Sequence, residues 1–174
     1  VINSKLFEGH LNYGELIIPG QTDEEIFLST YICHPSMANN ELSGPTVVTY
    51  LAKWLNTLPI RKYTYRIIFI PETIGSITYL SQNIDYLKSK VFAGFNVSCV
   101  GDNRSYSYLP SRNGNTISDK VAKHILGIMP LDTGPAHEQQ SFDRIFSLVG
   151  RCCKTTARAI ICALVNKIIV RVTF

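Results

Sequence analysis

The chain has 174 residues, 45% of them hydrophobic and 17% charged, with a formal net charge of +4. That is material for one compact domain with a conventional core. Its basic excess is diffuse and comes with neither a recognition helix nor an aromatic stacking platform, which argues against nucleic acid as a partner.

From Gly14 the chain reads as a short apolar strand, Leu16 to Ile18, a Pro19-Gly20 turn, and a second strand from Glu25 to Cys33. The second strand is apolar on both faces, as expected of one covered by helices on both sides. After a polar loop, Pro45 can open a helix whose apolar face is Val47, Val48, Leu51, Ala52 and Leu55, with Ser43 as its expected cap. Tyr65 to Ile70 reads as a strand ended by Pro71. Ser76 to Lys90 reads as a helix with Ile77, Leu80, Ile84 and Leu87 on one side. A strand from Phe92 to Val100, a loop to Pro110 and a helix from Thr116 to Leu126 with Ile117, Val121, Ile125 and Leu126 complete the pattern.

Strands alternating with helices predict an α/β fold with a largely parallel sheet and helices on its two faces. Beyond Met129 the signals weaken. The apolar stretches Ala159 to Val165 and Ile168 to Val170 are too short and interrupted to span a bilayer, and an amphipathic helix or a last core strand is preferred. The first residues lack the basic and apolar pattern of a secretory signal. The cysteines are five, an odd number; Cys33 and Cys99 sit in apparent strands, and reduced thiols in a cytoplasmic protein are the simplest reading.

In open α/β sheets ligands bind beyond the carboxyl ends of the strands. There the sequence places His34 in Cys33-His34-Pro35-Ser36-Met37-Ala38-Asn39-Asn40-Glu41, then Glu72, then Asp102. Imidazole plus carboxylate is a donor set that zinc accepts when one position stays open. Each residue also has a plain alternative: His34 as a strand-end bonding group, Glu72 as a carboxylate at a helix start, Asp102 as a turn residue. The other histidines, His10, His124 and His137, carry no such pattern. A serine nucleophile is disfavoured, since no Gly-x-Ser-x-Gly elbow occurs.

The run from Ser29 to Gly44, with Pro71-Glu72-Thr73-Ile74-Gly75-Ser76, Val100-Gly101-Asp102 and Leu109-Pro110-Ser111-Arg112, resembles the bacterial aminopeptidase-like domain proteins, distant relatives of the co-catalytic zinc aminopeptidases. The resemblance spans Glu8 to Leu126. It implies a three-layer αβα fold with a mostly parallel, doubly wound sheet, and one aminopeptidase-like domain over residues 1–174 that is incomplete at its C-terminal end.

By this resemblance His34 is a metal ligand, and the position of the aspartate that bridges two metals is Asn40, with Glu41 next to it as a substitute. Glu72 stands alone, beside Thr73, where the relatives carry two glutamates, so it falls to Glu72 to be the general base. A further aspartate ligand falls near Ser98, with Asp102 as the nearest replacement, and the late histidine has no counterpart.

The implied cofactor is zinc, as a single ion. The implied activity is hydrolysis of an amide next to a free amino group in a small-molecule or peptide-like substrate, with water activated by the metal and its proton taken by Glu72. The alternative is a non-catalytic domain whose cleft binds a small ligand or metal. Neither membrane nor nucleic acid is expected as a partner.

Overall fold

The computed structural model describes residues 2–101, 107–111, 113–127 and 171–173. They form an α/β fold on a mixed sheet: β1 (Gly14–Ile18), β2 (Glu25–Tyr31), α1 (Ser43–Thr57), β3 (Thr64–Ile70), α2 (Ile74–Lys90), β4 (Val91–Val97), β5 (Ser107–Leu109), α3 (Ile117–Gly127) and β6 (Arg171–Thr173). The strand order is β1-β3-β2-β4-β6-β5. β2 runs parallel to both β3 and β4, β4 runs parallel to β6, and β1 and β5 are antiparallel to their neighbours.

The chain leaves β2 for β3 on one side, then returns past β2 to β4 on the other. Crossovers in opposite directions are expected to put their helices on opposite faces when both have the usual hand, and the packing of α1 and α2 agrees. Leu28 and Ile67 meet Val48, Ala52 and Leu55 of α1, together with Ile18 and Val97. Their strand neighbours Phe27 and Ile68, with Ile70, point the other way onto Tyr79, Ile84 and Leu87 of α2. The period-2 alternation of β2 and β3 thus supplies two cores from two apolar strands. Each fully buried aliphatic side chain contributes about 1.5–3 kcal/mol relative to exposure.

The second strand ends at Tyr31 rather than Cys33, and β4 ends at Val97 rather than Val100. The backbone turns sharply in between, with Cys99 at a φ of 52°. Helix α1 starts at Ser43, preceded by one π-helical turn, Ala38–Leu42. Ser43 is therefore no cap: its hydroxyl donates to the Asn39 carbonyl at 2.5 Å and accepts the Val100 amide at 2.9 Å. Pro45 is the third residue of α1 and has no N–H to give to the π-helical turn before it.

In α3 the expected face is reversed. Ile117, Val121 and Ile125 are 39%, 45% and 52% exposed, while Ser118, Asp119 and Ala122 are buried. Asp119 accepts bonds from both the amide and the hydroxyl of Ser111 and of Thr116. No helix among the described residues is long and apolar enough to cross a membrane. The apolar stretches between Ala159 and Val170 lie outside the described residues.

Candidate active site

Beyond the carboxyl ends of β2, β3 and β4, the described residues include three non-glycine positions with positive φ: Ser36 at 71°, Thr73 at 56° and Cys99 at 52°. A β-branched residue such as Thr73 pays for that conformation, and such strain clusters at functional sites. Each position follows a different central strand, so one edge of the sheet holds all three.

Close packing brings the edge together. A methyl group on Gly44 would lie 2.4 Å from the Val97 carbonyl oxygen and 2.5 Å from Thr30 Oγ1, so only glycine lets the first turn of α1 approach β2 and β4. The preceding turn is tied to the segment after β4: Asn39 Oδ1 accepts the Gly101 amide at 2.8 Å, and Ser43 Oγ accepts that of Val100. Asp102 follows directly but lies outside the described residues.

At the centre are Cys33, His34 and Glu41. The Glu41 carboxylate is buried and accepts the Cys33 amide at 2.6 Å through Oε2. Its Oε1 lies 2.9 Å from His34 Nδ1 and 3.6 Å from Cys33 Sγ, and that sulfur is 3.2 Å from the same Nδ1. The imidazole is 55% exposed, and its Nε2 makes no hydrogen bond among the described residues. Burial raises the Glu41 carboxyl, but the Cys33 and His34 amides, then the imidazole and thiol, outweigh it and hold it below the usual range. The Cys33 thiol is pushed up, first by burial; the Glu72 amide works against this, and the charges of Glu41 and Glu72 reinforce it.

These effects place Glu72 beside Cys33, where the sequence expected a strand-end carboxylate. Asn40 lies in the π-helical turn, its Oδ1 buried without a hydrogen-bond partner among the described residues. A cleft of about 600 Å³ opens along Ile32 to Ala38, Glu41 and Leu42. Ile32, Met37 and Leu42 give it an apolar wall, and His34 and Glu41 a polar one. His10 and His124 are exposed, the described metal-type cluster includes neither, and His137 lies outside the described residues.

The geometry excludes a cysteine-histidine-acid relay. Such a relay needs thiol and carboxylate on opposite ring nitrogens, whereas here both face Nδ1, and the thiol is held protonated. The donor chemistry fits a cation instead. Sulfur, imidazole nitrogen and carboxylate oxygen lie within 4.8 Å of one another, a set suited to zinc. Cys33 was missing from the expected ligands because it read as a buried strand residue. A thiol next to a histidine, with a carboxylate one loop later, was the available signal.

The profile of the domain of unknown function DUF4910 matches residues 3–145. A protein of Clostridium acetobutylicum named "Putative polysaccharide biosynthesis protein with aminopeptidase-like domain" is 48% identical over 126 residues, 72% of this chain and 29% of its own length. The crystal structure of a "putative peptidase" from Clostridium acetobutylicum superposes with a TM-score of 0.65 at 32% identity, over 92% of this chain and 35% of that one. A glutaminyl cyclase from an Acidobacteriales bacterium shares the fold, with a TM-score of 0.52 at 17% identity over 60% of this chain and 43% of its own. The chain spans about a third of the length of the two Clostridium relatives.

Proposed function

The chain belongs to the family of the domain of unknown function DUF4910, and from that premise we propose that it is a metal-dependent, aminopeptidase-like hydrolase cleaving an amide next to a free amino group. The observation that carries this reading is the contact of His34 with Glu41 at 2.9 Å on the wall of a cleft, with Glu72 beside it. The relatives' names, aminopeptidase-like and peptidase, support the reaction class.

In this reading His34 and Glu41 would hold one zinc ion, with Asn40 or Asp102 as the candidate third donor and one position left for water. Zinc supplies a Lewis acid for the carbonyl and lowers the pKa of a water. Glu72 takes the proton of the attacking water and returns it to the leaving amine. The substrate is a small or peptide-like molecule, and an amino-sugar derivative suits the polysaccharide link in the relative's name. The free thiols of Cys33 and Cys99 fit a reducing, cytoplasmic compartment. The fold in this reading is the three-layer, doubly wound architecture.

The test is to strip the protein with chelator, restore zinc, measure metal per chain and screen aminoacyl arylamides. Glu72→Gln is expected to lower kcat about 10²- to 10⁴-fold while metal content stays at one ion. His34→Ala is expected to lose the metal. Full activity in Glu72→Gln would remove Glu72 as base. One observation favours a second reading, a non-catalytic domain that binds a small ligand: Asn40 stands where a bridging carboxylate is expected, its amide oxygen buried and unbonded among the described residues. Zinc bound without hydrolysis of any probe would support it.

A further inference from the structure

Three donor atoms of the kind that hold metals, a sulfur, an imidazole nitrogen and a carboxylate oxygen, converge on the wall of the cleft. One ring nitrogen carries one proton or one lone pair, yet Glu41 Oε1 at 2.9 Å and Cys33 Sγ at 3.2 Å both face it. Without a metal the three are joined through Glu41 Oε1, which accepts from the ring N–H and, at 3.6 Å, from the thiol, and the approach of Sγ to Nδ1 is left as a bare contact. A cation at the centre of the three atoms satisfies all of them.

The spacing fits such a centre. Tetrahedral zinc with nitrogen, oxygen and sulfur at about 2.0–2.3 Å puts its donors about 3.3–3.6 Å apart. The distances here are 2.9, 3.2 and 3.6 Å, so a small opening of the side chains accommodates the ion. The other carboxylate oxygen is already fixed by the Cys33 amide at 2.6 Å, which presets the direction of Oε1. The cleft borders all three residues, leaving the fourth position facing ligand.

We propose that Cys33 is itself a metal ligand, completing a Cys33 Sγ, His34 Nδ1, Glu41 Oε1 tripod. This rests on the metal-dependent reading above and sharpens it. Loading the ion deprotonates the thiol and releases that proton to solvent, with no change of oxidation state. The tripod is open only while Cys33 is reduced.

The test uses Co(II) alone, added to the full chain with a phosphine reductant. The expected result is one cobalt per chain with a near-ultraviolet thiolate-to-cobalt charge-transfer band. Cys33→Ser is expected to lose that band and to weaken binding by more than about a hundredfold, beyond the loss typical of groups that only support a ligand. Cobalt bound by the wild type without the band overturns the tripod and leaves the hydrolase reading standing. No cobalt bound at all overturns both. Should Cys33→Ser not fold, the band is assigned by its survival when the other four cysteines are replaced by serine, and its loss there overturns the tripod.

Discussion

Two clusters of charged side chains sit on this sheet, and they are built to opposite ends. Near the start of β2 and β3, on the α2 face, Arg66 donates to both oxygens of Glu25 at 2.6 and 2.9 Å and to Glu15 at 2.5 Å. The Tyr86 hydroxyl donates to Glu25 and the Tyr79 hydroxyl to Glu15. Burial and then Glu15 push the Tyr79 hydroxyl up, so it stays a donor. Beyond the far ends of the same strands, Cys33, His34 and Glu41 crowd one nitrogen beside a cleft. The first cluster has a donor for each carboxylate, and its centre, Glu25 with Arg66, is buried. The second gathers three metal-type donor atoms on the wall of a cleft and is flanked by strained backbone. A perturbed ionisable group points to function when its environment is incomplete, and to structure when it is closed.

Arg66→Ala breaks that contrast hardest. It leaves Glu25 and Glu15 uncompensated, Glu25 being almost fully buried, and should cost about 3–5 kcal/mol of stability in urea unfolding. A loss below about 1 kcal/mol would show that the Arg66 cluster is not closed. Gly44→Ala comes next. Its methyl group would press on the Val97 carbonyl and Thr30, so a loss of about 1–3 kcal/mol is expected, with metal affinity falling alongside because the adjoining turn shifts. Unchanged metal affinity would separate the site from the packing beneath it.

The smallest effect is the pH response of Glu41, measured with chelator present. Its folded pKa lies below the usual 4.5, so its stabilising contribution is complete above that value and is lost as pH falls through the folded pKa. Glu41→Gln should therefore flatten the acid limb of the stability curve below about pH 4.5 and leave the slope near neutrality alone. An unchanged acid limb would mean that the bonds to Cys33 and His34 do not hold in solution.

The central strands and the helices between them were legible because Leu28 against Phe27 and Ile67 against Ile68 carry the alternation of a strand covered on both sides. The antiparallel course of β1 was not, since the short apolar run Leu16 to Ile18 says nothing about direction. The face of α3 was misread because hydrophobic periodicity favoured Ile117, Val121 and Ile125, whereas Asp119, bonded to Ser111 and Thr116, fixes the opposite side inward. At the candidate site, strand-end position alone pointed to His34 and Glu72, and Glu41 entered through the family resemblance. The approach of Cys33 depends on the π-helical turn that swings Glu41 back over it, a conformation no residue pattern announces.

The bonds from Asn39 and Ser43 to the amides of Gly101 and Val100 have a kinetic consequence. Those two N–H groups exchange with solvent deuterium only when the turn carrying Glu41 lets go, so their exchange rates time the opening of the site. An occupant that holds the turn slows both clocks together without touching either amide.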